Sequence, residues 1–211
     1  MRSENKTNIQ EKSKKSFIEE ARQVQIIDAA IETIAALGSA QASLAKIAER
    51  ANVSTSLILY HFKDREELMA ATLASIIAEW EAPAIKAVAE HTSPCDKLRG
   101  YIEARLGYIG TRPKQSIAMV SLLFSVRPNS DTQAYRTQED GFGLGEIVSL
   151  LEEGQRVGEF KPFDVNHMAI MIRSTIDQFL GYSQVPGIDL EKYVKDLLGW
   201  YGVLIAKKGK L

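Results

Sequence analysis

Three histidines, one cysteine and one glycine-rich stretch are the parts of this sequence whose residue types could do chemistry. His61, His91 and His167 form no H-x-x-x-H or H-E-x-x-H pair, the spacings that bring two metal ligands onto one face of a helix. Asp164 and His167 would lie on adjacent helical turns and could share a metal ion, but a helix cap followed by an unrelated histidine is the better interpretation. We therefore expect no metal site.

The glycine-rich stretch "GFGLGEI", residues 141–147, superficially resembles a nucleotide-binding loop. It has no preceding strand pattern and lacks the glycine spacing of such loops, so its glycines indicate a bend or a close contact in a helix. No G-x-S-x-G nucleophile motif occurs in the sequence. We expect a protein that is not an enzyme, with no catalytic residue and no cofactor.

The composition is that of a globular protein from a reducing compartment. Of the 211 residues, 45% are hydrophobic and 25% charged, which is enough apolar material for a sizeable core. The single cysteine, Cys95, excludes an internal disulfide framework and a multi-cysteine metal site. Residues 1–16 lack the apolar centre of an export signal, and no run of about 18 apolar residues occurs. The sequence predicts a soluble cytoplasmic protein without a membrane partner.

The charge pattern gives little support to nucleic-acid binding. The net charge is −1, but residues 1–15 hold five basic side chains against two acidic ones. We expect residues 1–16 to form a flexible basic tail, which is either a solvated arm or a phosphate contact.

The stretch from Arg22 to Ala51 predicts two helices separated by a short break. Apolar residues recur in the first helix at three- and four-residue spacing and form one stripe. This stripe consists of Ile26, Ile27, Ala30, Ile31, Ile34 and Leu37. Gly38 is typical of a left-handed helix end, and Ser43 is a good N-cap for a short helix, Leu44 to Ala51.

The segment "NVSTSLILYHFKDREEL", residues 52–68, completes a helix-turn-helix pattern. Asn52 tolerates a positive φ, Val53 can fill the corner, and Ser54 or Thr55 can cap a third helix. In that helix Ile58 and Phe62 lie one turn apart and can face the first helix, whereas Leu57 and Leu59 point elsewhere. Asp64 then caps a fourth helix, with Glu66 and Glu67 in its first turn.

The remaining sequence has helical patterns and no strand alternation, so we expect an all-α fold. The predicted helices span roughly 65–90, 94–110, 115–126, 131–155, 164–182 and 189–207. Pro83 should bend or interrupt the first of these. Loops are predicted at 127–131, 158–164 and 185–189, and Asp164 and Asp189 are candidate helix caps.

The helix-turn-helix segment, with the helix that precedes it and the helical remainder that follows, resembles the TetR family of bacterial transcriptional regulators. The resemblance implies an N-terminal three-helix head, residues 17–68, and a helical ligand-binding and dimerisation bundle, residues 69–211. It also implies a homodimer that binds a palindromic operator in double-stranded DNA and is released by a small-molecule inducer, with repression as the default. A helical interaction module without sequence-specific DNA binding is the alternative.

The resemblance assigns DNA contacts to nine positions of the head. Ser43 matches a hydroxyl residue at the start of the second helix, and Tyr60 and His61 match an aromatic–histidine pair near the DNA backbone. Lys63 lies in the following turn, and Arg65 matches a basic phosphate contact. Exposed base-reading positions are Thr55, Ser56, Leu57 and Leu59. Family members commonly have Gly at position 52, a small polar residue at 57 and Tyr at 59. The two leucines can contact thymine methyl groups but cannot make bidentate hydrogen bonds to bases.

Two further sets of residues are predicted in the body. A ligand pocket needs apolar and aromatic walls with a few polar groups. Its candidates are Trp80, Tyr101, Arg105, Tyr108, Met119, Phe124, Phe142, Arg173 and Asp177, with Arg127 and Glu146 as further polar candidates. Arg173 and Asp177 either orient a ligand or pair with each other. The last two helices are apolar enough for a buried position in the bundle or for a subunit interface. The interface candidates are Ile172, Ile176, Phe179, Leu197, Trp200, Tyr201 and Leu204.

Overall fold

The chain forms two compact helical units. The computed structural model describes residues 2–125, 144–182 and 186–207, with side chains described for 18–123, 144–182 and 186–207. The head unit comprises residues 1–75 and 118–125, and the body unit comprises 76–117 and 126–211. The head unit thus ends at Ser75 in the first part of the chain and includes a second segment, while the domain bounds 17–68 and 69–211 stay a prediction. This addition has a physical basis, because Met119 and Leu122 are buried apolar residues on that segment.

The head unit is built from four helices and the end of another. Helix α1 spans Arg2–Leu37, a short 3₁₀ helix spans Ser39–Gln41, α2 spans Leu44–Ala51 and α3 spans Thr55–His61. Helix α4, Arg65–Ala89, begins in the head and continues into the body. The predicted stripe of α1 is its core face, since Ile26, Ala30 and Ile34 are fully buried.

The helix ends of the head follow from local side-chain chemistry. The hydroxyl of Ser43 accepts from the N–H of Lys46, and that of Ser54 accepts from Leu57. Asn52 has φ 51° and ψ 49°, the left-handed conformation predicted for the turn. Asp64 caps α4 by accepting from the N–H of Glu67 at 2.8 Å. These predictions are confirmed.

Two expectations for the head and its exit helix differ from the structure. The backbone of residues 2–16, expected as a flexible tail, is the first part of α1, and this stretch contains neither Gly nor Pro to break the helix. Helix α4 continues through Pro83 without interruption. Pro83 and Glu79, whose carbonyl loses its helical partner there, are both exposed, so water can satisfy that carbonyl.

The body unit contains the rest of α4 and five further helices among the described residues. These are α5, Pro94–Thr111; the start of α6, Pro113–Ser125; α7, Leu144–Arg156; α8, Val165–Tyr182; and α9, Leu190–Ile205. Asp164 and Asp189 cap α8 and α9 as predicted. The predicted loop at 127–131, the segment 131–143 of a predicted helix and residue 185 lie outside the described residues.

The segment after α7 is fixed by close packing. Phe160 is 1% exposed, and a Cβ on Gly154 would come within 2.0 Å of its ring, so only glycine allows this approach. The backbone N–H of Lys161 donates to Ile205 at 2.7 Å, and that of Lys207 donates to Glu159 at 2.9 Å. The predicted loop at 158–164 is therefore joined to the end of α9.

Helix α4 is the one described helix whose length and mean hydropathy match a membrane span. The mean hydropathy reaches 1.3 over 18 of its residues. A core helix of a globular protein passes the same test, and Leu68, Leu73, Ile76 and Trp80 of α4 are buried within the protein.

Candidate nucleic-acid interface and ligand site

Helix α3 separates a buried face from an exposed one. Ile58 and Phe62 are 0% and 4% exposed, as predicted for core positions. Leu59 and Tyr60 are 45% and 69% exposed, and Ser56 is exposed as well. Thr55 and Leu57 are half-buried, so the expectation that both present open side chains is only partly met. Because Ile58 and Phe62 pack into the core, the neighbouring side chains of Thr55 and Leu57 are partly buried as well.

Three other predicted DNA contacts, His61, Ser43 and Lys63, belong to the head unit. The ring of His61 packs edge-on to Tyr60, with centroids 5.1 Å apart. The hydroxyl of Tyr60 donates to the carboxylate of Glu19 on α1 at 3.4 Å. Ser43 and Lys63 are exposed, and the backbone N–H of Lys63 donates to Glu67. Their DNA contacts stay predictions.

Arg65 is occupied within the head unit. Its Nε donates to the carbonyl of Ala42 at 3.1 Å, and its Nη2 donates to the carbonyl of Ser39. The third nitrogen, Nη1, lies 3.8 Å from Glu66. The guanidinium of Arg65 therefore faces the 3₁₀ helix, and its contact with a DNA phosphate stays a prediction.

Ser39 and Ser121 join the 3₁₀ helix to the end of α6, and sequence reasoning missed both. The N–H of Ser39 donates to the Ser121 hydroxyl at 2.8 Å, and the Ser39 hydroxyl donates to the Ser121 carbonyl at 3.1 Å. The serines are 82 residues apart in the chain. No local sequence pattern indicates a contact between two residues so far apart.

Arg105 is the centre of a buried polar and aromatic cluster in the body unit. The side chain is 2% exposed, and its Nη1 donates to the carbonyl of Trp80 at 2.6 Å. The guanidinium carbon lies 4.9 Å from the ring centroids of both Trp80 and Tyr101. The structure thus brings together Trp80, Tyr101 and Arg105, three of the predicted pocket residues. Tyr108 also belongs to the cluster, since its ring packs edge-on to Trp80 at 5.3 Å.

The polar atoms of this cluster are incompletely paired. Among the described residues, the Nε of Arg105 and the hydroxyl of Tyr101 have no hydrogen-bond partner. The nearest carboxylate oxygen to Arg105 is that of Glu146, 3.9 Å from Nη2. Burial raises the pKa of Glu146, and the charge of Arg105 opposes that rise. Burial, followed by the charge of Glu79, also raises the pKa of Tyr108.

The other pocket candidates are dispersed. Arg173 donates through Nε to both carboxylate oxygens of Asp177, at 2.9 and 3.0 Å, which answers whether these residues pair. The guanidinium of Arg173 lies 5.6 Å from the Trp80 ring centroid. Met119 belongs to the head unit and not to the body, which removes it from a pocket within the body. Phe124 as a side chain, Arg127 and Phe142 lie outside the described residues.

Helices α8 and α9 bury most of the residues predicted at a subunit interface. Exposure is 4% or less for Ile172, Ile176, Phe179, Leu197 and Tyr201, so these five belong to the interior of one chain. Trp200 and Leu204 are 62% and 53% exposed. The correction follows from helix geometry, because each helix has enough apolar surface for an inner and an outer face. Val203, Ile170 and Met171 are exposed apolar residues that the prediction omitted.

An open groove of about 680 Å³ lies beside α5 and α9 of the body unit. Its lining consists of Arg99, Glu103, Gly107, Leu190, Glu191, Val194, Lys195, Leu198 and Gly199. The groove includes none of the predicted pocket residues.

A family comparison identifies the head. The sequence model described as "Bacterial regulatory proteins, tetR family" matches residues 26–72, the segment from the core stripe of α1 to the first turns of α4. The head of this chain is therefore similar to the DNA-binding head of TetR-family regulators.

One curated relative of this chain is the HTH-type transcriptional regulator BetI of Paraburkholderia phytofirmans (strain DSM 17436 / LMG 22146 / PsJN). It is 36% identical over 86 residues, which are 40% of this chain and 44% of the relative. The chain thus matches less than half the length of that protein.

Solved structures extend the comparison to most of the chain. The regulator FadR from Bacillus subtilis, solved in complex with stearoyl-CoA, has 25% identity and a TM-score of 0.71, over 83% of this chain and 95% of that one. The regulator AibR, solved with isovaleryl coenzyme A and operator DNA, has 15% identity and a TM-score of 0.74, over 85% and 97% of the two chains. The all-α fold with an N-terminal helix-turn-helix head is thereby confirmed.

The described part of the chain contains no group of three His, Cys, Asp or Glu side chains suited to a metal ion. The pair considered as metal ligands is a helix cap, since Asp164 accepts from the N–H of His167 at 2.9 Å. This hydrogen bond is the main reason that the pKa of Asp164 is lowered.

Proposed function

We propose that this protein is a cytoplasmic, ligand-responsive transcriptional regulator, not an enzyme, that binds a palindromic operator as a homodimer. The observation that carries the proposal is the helix-turn-helix itself: α2, a turn with Asn52 in the left-handed conformation, and α3 with an exposed outer face. A helix of this kind fits the major groove of B-DNA. Repression, relieved by a small molecule, is the default mode.

The proposed DNA surface centres on Ser56, Leu59 and Tyr60. The exposed Leu59 suits contact with a thymine methyl group, while the hydroxyls of Ser56 and Tyr60 can bond to bases or phosphates. Lys63, exposed just after α3, supplies positive charge toward the DNA backbone. Arg65 has a supporting role, since its bonds to Ser39 and Ala42 fix the start of α4 against the 3₁₀ helix.

The proposed dimer uses the outer face of the last helix. Trp200, Val203 and Leu204 are all more than half exposed and lie within one turn or so of each other on α9. A contiguous exposed apolar patch of this kind is unusual on a soluble monomer. A symmetric dimer through this face would supply the two heads that a palindromic operator requires.

The proposed ligand response passes through α6. Residues 113–117 of α6 belong to the body unit and residues 118–125 to the head, where Ser121 is bonded to Ser39. A ligand that shifts α6 would act on the same 3₁₀ helix that Arg65 holds. A differential affinity of about 1–3 kcal/mol between the two states is enough for a useful switch.

Selection of bound sequences from a random duplex pool, with the mass of the protein measured in solution, tests the regulator proposal. We expect a palindromic consensus with half-sites centred about one helical turn or a multiple of it apart, bound by a dimer. No enrichment by a well-folded protein would overturn the proposal and favour the interaction module, for which the exposed Leu59 would be a contact.

The salt dependence of operator binding tests the assignment of Lys63. We expect Lys63→Ala to weaken binding to operator and random duplex alike and to reduce the salt slope by about one for each phosphate that the variant no longer neutralises. Lys114→Ala, on the exposed start of α6 in the body unit, is the matched control. An equal effect of the two changes would remove Lys63 from the DNA surface.

The small-molecule response is tested once an operator is in hand. The solved FadR and AibR complexes contain stearoyl-CoA and isovaleryl coenzyme A, so acyl-CoA thioesters of graded chain length and the corresponding free carboxylic acids are the first compounds to try. We expect release of the operator by some members of the series. Ser121→Ala should leave ligand binding intact while reducing that release, and full release from this variant would remove α6 from the route.

A further inference from the structure

Arg105 carries a positive charge inside the body unit, and its ion pair with Glu146, at 3.9 Å, is a long one. A guanidinium has five N–H donors and remains charged in proteins, and a buried charge is costly unless it is paired. Among the described residues, one of those donors is bonded, to the carbonyl of Trp80, while Glu146 stays at 3.9 Å, beyond hydrogen-bond distance. Within the described part of the chain, Arg105 therefore has more donors than acceptors.

Tyr101 places a second unpaired donor on the same helix. It precedes Arg105 by four residues on α5, its ring lies under the guanidinium at 4.9 Å, and it is 0% exposed. Neither its hydroxyl nor the Nε of Arg105 has a partner in the described part of the chain. Buried polar groups are nearly always satisfied in native proteins, so two orphans on neighbouring turns indicate a missing acceptor.

The aromatic and cationic side chains around Arg105 indicate which charge a bound ligand would carry. The rings of Trp80 and Tyr101 would make a good box for a cationic ligand, but the guanidinium of Arg105 already lies 4.9 Å from both centroids. The guanidinium of Arg173 approaches Trp80 as well, at 5.6 Å. A further cation would be repelled, whereas an anion would complete the cluster.

We infer that Arg105 and Tyr101 form a binding site for the carboxylate of an otherwise apolar ligand, which takes the place of Glu146 as the counter-ion of Arg105. This site rests on the proposed ligand response and names the chemical class of its ligand. One guanidinium neutralises one negative charge, so a monoanionic carboxylate loses less on burial than a doubly charged phosphate. The apolar part of the ligand matches the aromatic walls.

Thermal unfolding of the full chain with octanoate, octan-1-ol, octanamide, octyl phosphate and octyltrimethylammonium tests the site. All five probes share the chain and differ in the head group, and each is used below its micelle concentration. We expect octanoate to raise Tm in a concentration-dependent manner and the two neutral probes and the cation to have no such effect. Equal stabilisation by octan-1-ol, or none by octanoate, would overturn the inference. Preference for octyl phosphate would overturn the carboxylate in favour of a phosphate group.

Tyr101→Phe separates a ligand role from a structural one. Loss of an unpaired hydroxyl should leave the Tm of the free protein unchanged or higher, while octanoate affinity falls about tenfold, the size of one hydrogen bond to a charged group. Tyr201→Phe is the matched control, because the hydroxyl of Tyr201 is bonded to Thr175 at 3.0 Å. This control should lower Tm and leave octanoate affinity unchanged.

Arg105→Met, which keeps the length and apolar stem of the side chain, should abolish the preference for octanoate over octan-1-ol. The inference would be overturned if the Tyr101→Phe and Arg105→Met variants both bound octanoate as tightly as the wild type. Operator binding is measured for the same proteins without any probe. Intact operator binding with no carboxylate effect would reject the site alone, whereas absence of operator binding by the wild type would reject the proposed function.

Discussion

The head and the body differ in how they treat their buried polar side chains. In the head, the hydroxyls of Thr33 and Thr72 donate to carbonyls one turn earlier, both at 2.7 Å. Ser39 is bonded through both its N–H and its hydroxyl. In the body, the described atoms without partners include the hydroxyls of Tyr101 and Ser116 and the Nε of Arg105.

This difference suits different tasks. A DNA-recognition surface binds best when it is already ordered, because no free energy is then spent on ordering its side chains during binding. Buried polar groups that are hydrogen-bonded keep such a surface ordered. A ligand site gains affinity when its polar groups lack partners until the ligand binds, since an unpaired buried donor costs about 1–3 kcal/mol that an acceptor can recover. Unsatisfied groups in the body are therefore a sign of function, while the same groups in the head would be a sign of weakness.

The largest expected difference in stability is between variants of Arg65 in the head and of Arg105 in the body. Arg65→Met should destabilise the protein by about 2–3 kcal/mol, because the carbonyls of Ser39 and Ala42 lose a charged donor. Arg105→Met should change stability by less than about 1 kcal/mol or increase it, as is common when a poorly paired buried charge is replaced by an apolar side chain. Urea denaturation at pH 7 measures both, and equal losses would break the comparison.

The same contrast applies to a matched pair of serines. Ser39 and Ser116 are 6% and 0% exposed. Ser39→Ala should cost about 1 kcal/mol, since it removes one donated hydrogen bond. Ser116→Ala removes a hydroxyl without a partner in the described structure and should be neutral or stabilising. Thermal unfolding of the two variants side by side is the check, and a larger loss at position 116 would contradict the distinction.

The smallest expected effect on stability lies on the outer face of the head. Leu59 is 45% exposed, so Leu59→Ala should change the free energy of unfolding by no more than about 0.5 kcal/mol. Operator affinity should fall measurably in a binding titration, most at sites where a thymine is contacted. Unchanged affinity for every operator variant would show that α3 reads DNA through its other residues.

The sequence allowed prediction of the features that depend on neighbouring residues. Ser43, Asp164 and Asp189 were identifiable as caps, and Asn52 as the left-handed turn position, because a cap or a turn involves atoms within a few residues. Where the structure describes them, the helix ends of the body lie within a few residues of the predicted ones for the same reason. The family resemblance then supplied the arrangement of the head.

Prediction failed where a side chain had more than one possible neighbour. The sequence did not indicate that Arg65 bonds to carbonyl groups 23 and 26 residues away in the chain. On α8 and α9 the apolar pattern could not tell the inner face from the outer one, so Ile172 and Tyr201 were assigned to an interface. In the cluster around Arg105, residue types were sufficient to propose a pocket, but only atomic positions revealed which donors lack partners.

The head unit is formed by two separate segments of the chain, and this affects how it folds during synthesis. Residues 1–75 emerge from the ribosome first, yet Ser121, which bonds both polar groups of Ser39, follows more than forty residues later. Domains generally fold as units during translation, in chain order. Here the head cannot complete its hydrogen bonds until α6 has been translated, so DNA-binding geometry and the first part of the body mature together.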